Sequence, residues 1–198
     1  MKVLAATKNR GKLGEIAQIL GTSGITVVSP RDVGIDLDVS EDGLTFEENA
    51  VAKALAWHRA SGLPCLADDS GLCVDALGGR PGVHSARFAG VGAGDRENYE
   101  LLLGLMEGVR TRSARFVCVV ALALSEDTVI TAQGQCEGVI LTAPVGAGGF
   151  GYDPVFLDPA SGKTFAQLSD EEKNAISHRK RALAALQEKL SGMGIAGS

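Results

Sequence analysis

The opening residues narrow the possible folds more than any other stretch. Residues 2–7 read as a short buried strand, and Leu13, Ile16, Ala17 and Leu20 then recur at the i, i+3, i+4, i+7 spacing of an amphipathic helix. A strand that feeds a helix directly needs a sheet for that helix to cover, which points to an α/β architecture. The polar segment between them, Thr7-Lys8-Asn9-Arg10-Gly11-Lys12, stands at the carboxyl end of a strand and the amino end of a helix. Free amides and the helix dipole make such a place suitable for an anion.

The same kind of reading carries through the chain. Residues 25–29 predict a second strand. Thr45-Phe46-Glu47-Glu48 has the form of a capping box ahead of an alanine-rich helix over residues 49–60. Residues 64–67 predict a strand that ends in a polar turn, Asp68-Asp69-Ser70-Gly71. Residues 98–106 predict a helix. Two β-rich runs, 114–124 and 129–136, flank Ser125-Glu126-Asp127 and predict a hairpin. Ser169-Asp170-Glu171-Glu172 is a second capping box, with helical sequence continuing to about Leu190 and residues 191–198 reading as a flexible tail. With no internal repeat and no clear linker, residues 1–190 read as one domain on a mixed β-sheet flanked by helices.

Composition removes several function classes. The 198 residues, 45% hydrophobic and 22% charged, suffice for a buried core and exclude disordered, collagenous and coiled-coil chains. A formal charge of -5 argues against wrapping duplex nucleic acid, so any polyanion the chain binds is small. The longest apolar stretches, such as residues 116–124, reach about half of the ~20 residues a spanning helix needs, so no membrane partner is expected. Residues 1–6 run straight into the polar loop without room for a signal-peptide core, which makes a cytoplasmic location the expectation. Cys65, Cys73, Cys118 and Cys136 lack C-x-x-C spacing and read as reduced core thiols.

Four motifs carry possible chemistry. Gly146-x-Gly148-x-x-Gly151 matches the dinucleotide-binding string, but Tyr152-Asp153-Pro154 breaks any helix at once, so a dinucleotide site is rejected. What remains there is a Gly-rich loop bearing a ring to stack on, Phe150, and a carboxylate, Asp153. Asp68 and Asp69 repel one another unless a cation or donor lies between them, and Mg²⁺ takes one or two carboxylates while keeping sites for phosphate oxygens. In the acidic segment before residue 48, Glu48 has a capping job and Glu41 has none. Ser177-His178-Arg179 offers donors, or reads simply as a solvated basic helix face.

Taken together, Thr7-Lys8-Asn9-Arg10-Gly11-Lys12, Thr45-Phe46-Glu47-Glu48-Asn49-Ala50, Ala67-Asp68-Asp69-Ser70-Gly71-Leu72, Gly149-Phe150-Gly151-Tyr152-Asp153-Pro154 and Ser177-His178-Arg179 stand in the order and approximate spacing of one family. The chain resembles the inosine triphosphate pyrophosphatases, the noncanonical purine nucleoside triphosphate pyrophosphatases, from Lys2 to about Leu186. The resemblance implies a Mg²⁺-dependent hydrolase that cleaves ITP, dITP or XTP to the monophosphate and pyrophosphate. It also implies an elongated mixed α/β fold with two lobes and a substrate cleft between them, and a homodimer. Thr7, Lys8, Asn9, Arg10, Gly11 and Lys12 would hold the triphosphate, Asn9 and Lys12 foremost, and Ser70 would join the substrate contacts. Glu41 and Asp69 would bind the metal, with Asp69 also activating water and Asp68 supporting it. Phe150 would stack on the base; Gly151, Tyr152, Asp153, His178 and Arg179 would form the rest of its pocket, and Lys173 would face the nucleotide. The competing readings are a nucleotide-binding regulator without turnover and a pyrophosphatase for other modified nucleotides.

Overall fold

The computed structural model describes residues 1–21 and 24–195, apart from the Arg10 side chain. Its core is a seven-stranded sheet in the order β2-β1-β3-β4-β5-β6-β7, with β1 Lys2–Ala5, β2 Thr26–Val28, β3 Cys65–Val74, β4 Ser113–Ser125, β5 Thr128–Ile140, β6 Phe156–Asp158 and β7 Lys163–Thr164. β1 pairs in parallel with both β2 and β3, whereas β5 with β6 and β6 with β7 are antiparallel, so the sheet is mixed as expected. Among the described residues there are also five α-helices, α1 Arg10–Gly21, α2 Phe46–Ser61, α3 Asp95–Leu105, α4 Asp170–Ile176 and α5 His178–Gly192, and four short 3₁₀ helices.

The chain divides into two compact units. One comprises Met1–Asp69, Cys118–Gly134 and His178–Ser198; the other comprises Ser70–Val117 and Gln135–Ser177. In the first unit, strand alternation sorts side chains into two layers. Val3, Ala5, Leu66, Cys118, Val120 and Leu122 pack with Ile16 and Leu20 of α1 and with Ala182, Leu183 and Leu186 of α5. Leu4, Ala6, Cys65, Ala67, Val119 and Ala121 pack with Ala50, Ala54 and Trp57 of α2. Helix α1 therefore covers one face and α2 the other: the connection from β1 runs one way, through α1 to β2, and the connection from β2 runs back the other way, through α2 across β1 to β3. That makes the carboxyl end of β1, where Ala5 pairs with Leu66 of β3, a topological switch point, the place where open α/β sheets bind ligands.

Gly134 of β5 sets how closely α5 lies against the strand. A Cβ there would stand 2.3 Å from both the His178 carbonyl oxygen and the Ala182 amide nitrogen, so only glycine lets the first turn of α5 seat. The core of the second unit is built on Phe116, Phe156 and Phe165, whose rings lie 4.4 to 5.6 Å apart, with Leu72, Leu102, Met106, Ile140 and Tyr152 around them. The four cysteines are free, and burial pushes the Cys65 and Cys118 thiols up to about 12, as inert core thiols should be. Among the described residues no helix is long and apolar enough to cross a membrane.

Two expectations need correction. The strand expected to end at Ala67 continues to Val74, so Asp68-Asp69-Ser70-Gly71 is part of β3 and not a turn. Each of the two carboxylates finds partners in its own layer, which lets the extended backbone carry on. The helix expected to run from Ser169 to about Leu190 is two helices. Ser177, with φ -63° and ψ 150°, ends α4 and precedes α5, which reaches Gly192. Serine favours such boundaries because its hydroxyl competes for backbone groups. Residues 196–198 of the expected tail lie outside the described residues.

Candidate active site

In the first unit the alternation that sorts the core also sorts the paired carboxylates. Asp68 follows the parity of Leu66 and faces α1 and α5, while Asp69 follows Ala67 and faces α2. Their partners agree. The Asp68 carboxylate accepts from Arg179 Nε and Nη2 at 3.3 and 3.2 Å and pairs with Lys12 Nζ at 3.0 Å. Asp69 accepts a hydrogen bond of 2.9 Å from Asn49 Nδ2. The Asn49 carboxamide is itself oriented, because its oxygen accepts the Gly43 amide at 2.7 Å.

These settings push the two carboxyls in opposite directions. For Asp68, burial opposes the charge, but Lys12, Arg179 and Lys53 outweigh it and hold the group well below the usual carboxylate range. For Asp69, burial and the nearby charge of Glu41 outweigh the Asn49 hydrogen bond and the cations Lys53 and Lys12, so its pKa lies above the usual value. A pair of acids separated in this way commonly marks distinct chemical roles.

Two further members of the cluster escaped the sequence reading. Lys53 Nζ bonds Glu41 and donates to the Asp68 carbonyl at 3.0 Å. Its signal was available: Asn49 and Lys53 stand one helical turn apart and share a face of α2. Glu15, buried on α1, bonds Arg179 Nη1. Its position off the stripe of Leu13, Ile16, Ala17 and Leu20 marked it as a solvent-facing carboxylate; the face buried in the structure runs through Glu15, Ile16, Ile19 and Leu20, and Ala17 is exposed.

The loop after β1 is arranged as a helix start. The Asn9 side-chain oxygen accepts the Lys12 amide at 3.1 Å, the Asn9 amide donates to Thr7 Oγ1 at 3.2 Å, and Gly11 lies in the first turn of α1. Lys8 is exposed and pairs with Asp36 at 2.6 Å. A cavity of ≈ 660 Å³ adjoins Thr7 and Lys8, but Ser29, Pro30, Arg31 and Asp36 from the end of β2 line it, so it opens on the side of β1 away from Asp68 and Asp69. The Arg10 side chain lies outside the described residues.

The second unit gathers the Gly-rich loop. Phe150 donates its amide to Asp153 Oδ2 at 2.8 Å, and the same oxygen accepts Lys173 Nζ at 2.7 Å. The Lys173 ammonium also lies over the Phe150 ring, 4.2 Å from its centroid. A Cβ on Gly149, which has φ +72°, would meet Asp153 Oδ2 at 2.1 Å, so this glycine is required both for its conformation and for the approach. The loop opens no helix of the dinucleotide-binding kind; a single 3₁₀ turn, Asp153–Val155, follows it. Ser70 is half-buried in β3.

Two residues expected at the base are placed otherwise. Tyr152 is buried and its hydroxyl donates to the Ser85 carbonyl at 2.8 Å, so the phenol serves the core. Arg179 is fully buried and turns its Nε, Nη1 and Nη2 to Asp68 and Glu15. The buried His178 begins the same helix.

The Ham1 family model matches residues 3–189. The dITP/XTP pyrophosphatase of Syntrophobacter fumaroxidans is 52% identical over 185 residues, 93% of this chain and 80% of that protein. The dITP/XTP pyrophosphatase of Geobacillus kaustophilus is 50% identical over 189 residues, 94% of this chain and 93% of its own. Among solved structures, the Ham1 protein of Staphylococcus aureus superposes with a TM-score of 0.87 at 40% identity, covering 98% of this chain and 100% of that one. A HAM1 protein from Coxiella burnetii gives 0.88 at 40% identity, covering 97% and 99%. Motifs, mixed sheet and near full-length identity agree, and the chain belongs to the Ham1 family.

Proposed function

We propose that this chain hydrolyses noncanonical purine nucleoside triphosphates, ITP, dITP and XTP, to the monophosphate and pyrophosphate. The names of its relatives support the reaction, and one observation carries the mechanism: two adjacent carboxylates held in opposite protonation preference. Asp69, the more basic of the two, takes a proton from the water that attacks the α–β anhydride. General-base help of this kind contributes roughly 10²- to 10⁴-fold. Asp68 stays ionised and orients Lys12 beside the helix start, where the ammonium meets the phosphate oxygens as charge develops on them.

The donor set fits a divalent cation. Lys12, Lys53 and Arg179 are three cations against the four carboxylates Glu15, Glu41, Asp68 and Asp69, leaving excess negative charge in the cluster. Among the described residues no group of three or more acidic, histidine or cysteine side chains could hold a metal alone. An ion that takes one or two carboxylates and completes its shell with phosphate oxygens and water suits Glu41 and Asp69, and Mg²⁺ is such an ion. When bound, Mg²⁺ would supply charge neutralisation to the phosphate chain. Lys53, bonded to Glu41, keeps that carboxylate in place.

Phe150 provides the stacking surface for the base, and Lys173 beside it is a donor for an oxygen on the ring. His178 adds a second donor. Hypoxanthine and xanthine carry an accepting oxygen at position 6, whereas adenine carries an amino group that would leave such donors unpaired, at roughly 1–3 kcal/mol for each buried group. Arg179, engaged by Asp68 and Glu15, acts in this reading on the acid cluster. A homodimer and a cytoplasmic setting complete the proposal; light scattering at twice the monomer mass would support the dimer.

The test is pyrophosphate and orthophosphate release from ITP, dITP, XTP, ATP and GTP, each with Mg²⁺ and with EDTA. Metal-dependent pyrophosphate from the first three, with little from ATP or GTP, is expected. Orthophosphate as the product, or ITP binding without turnover, would overturn the reading in favour of a nucleotide-binding regulator.

A further inference from the structure

We propose that Asp95, on the first turn of α3, is a positioning residue for the base platform: its carboxylate holds the Gly151 amide and so fixes how the loop presents Phe150. The inference rests on the assignment of Phe150 to the base and deepens it. The Gly151 N–H donates to Asp95 Oδ2 at 2.7 Å, across 56 residues of sequence. The preceding amide, that of Phe150, donates to Asp153 at 2.8 Å. Two successive amides are thus held by two different carboxylates, one inside the loop and one on a separate helix.

The loop needs the second hold. Gly149 and Gly151 have φ of +72° and +62°, so the backbone on both sides of Phe150 is in the left-handed region, where glycine has little steric preference. Asp153 constrains the Phe150 amide and Lys173, and a Cβ on Gly149 would strike it, so the upstream side of the ring is closed in. Beyond Gly151 the chain is anchored by Tyr152, whose hydroxyl bonds Ser85. Gly151 is the permissive joint between these anchors, and Asp95 closes it. A charge-assisted N–H···carboxylate bond is among the stronger hydrogen bonds available to an exposed loop.

Asp95 also begins a helix, where any carboxylate is favourable. Glu97 separates the two roles: its carboxylate accepts the Gly94 amide at 2.7 Å and steadies the same helix start without touching the loop.

The experiment compares the full-length protein with Asp95→Ala, Asp95→Asn and Glu97→Ala, measuring kcat and KM for dITP with Mg²⁺, thermal midpoints, and hydrogen exchange at the Gly151 amide by NMR. Asp95→Ala is expected to raise KM roughly tenfold with kcat within about threefold, the pattern of lost uniform binding, and to abolish Gly151 protection. Asp95→Asn, which keeps an acceptor in place, should retain both protection and KM. Glu97→Ala should lower the thermal midpoint at unchanged KM. An unchanged KM in Asp95→Ala, or an equal rise in Glu97→Ala, would overturn the proposal. Because Gly151 exchange is read without substrate, a chain that proves not to hydrolyse dITP and a chain in which Asp95 does not hold the loop give different results.

Discussion

Arg179 and Asp68 stand 111 residues apart and meet as a buried ion pair, Nη2 to Oδ2 at 3.2 Å, each side chain 1% exposed. Glu15 takes the other end of the guanidinium and Lys12 the other flank of the carboxylate, so the four groups balance in charge. Removing one partner leaves an uncompensated buried charge, which is far costlier than an exposed pair.

Asp68→Asn should therefore destabilise the protein by about 3–5 kcal/mol, a fall in the thermal midpoint of roughly 6–20 °C for a chain of this size. Because the folded Asp68 carboxyl lies below its unfolded value of 3.8, its contribution is present above that pH and is lost as the pH falls toward the folded value. Denaturation followed from pH 7 to pH 2 should show the gap between wild type and variant narrowing in acid. A constant gap would mean that the carboxylate charge is not what the fold uses.

Asp69→Asn should lower kcat by roughly 10²- to 10⁴-fold while nucleotide binding, followed by calorimetry, stays within a few-fold. In the wild type, the working carboxylate forms as the pH rises through a value above 3.8, so the acid limb of kcat/KM should lie above that value. Lys53 favours the ionised form, so Lys53→Met should move that limb to higher pH. A shift to lower pH would contradict the assignment of Asp69 as base.

Tyr152→Phe removes a buried hydroxyl from the Ser85 carbonyl. The expected result is a loss of about 1–3 kcal/mol in stability with the ITP-to-ATP preference unchanged. A changed preference at unchanged stability would return the phenol to the base pocket. His178→Ala, by contrast, should narrow that preference.

Gly134→Ala tests how α5 delivers Arg179. The added carbon would lie 2.3 Å from backbone atoms of His178 and Ala182, and backbone cannot swing aside as a side chain can. Overpacking of this kind costs about 1–3 kcal/mol or more. Activity per folded molecule should fall as well, because Arg179 stands in the first turn of the helix that is displaced. Full activity in the folded fraction would show that the Arg179 position is not critical.

Local chemistry was the legible part. The alternating strands and the Ser169 cap are written in neighbouring residues, and the structure has them in place; the stripe of α1 is there but rotated, with Ile16 and Leu20 buried, Leu13 and Ile19 packed beside them and Ala17 exposed. At Thr45 the cap forms with a shift: Thr45 accepts the Glu48 amide, as the motif predicts, but the Glu48 carboxylate accepts the amide of Leu44, one residue before the cap. Lys12, Glu41, Asp68, Asp69, Phe150 and Lys173 stood out as candidates, and the structure gives each a charged, amide or ring partner.

Partnership was not legible. Whether Asp68 or Asp69 is the more basic depends on which face of β3 each takes, and that required knowing that the strand runs on through the pair. Which cations then surround each face depends on α1, α2 and α5 being laid on opposite sides of the sheet, contacts made across 15 to 111 residues. The same holds for Arg179, whose guanidinium serves Asp68 and Glu15 because Gly134 lets α5 settle against β5. Residue types and short-range order specify which groups can do chemistry; burial and neighbouring charge, which set proton affinity, exist only once distant segments are packed together.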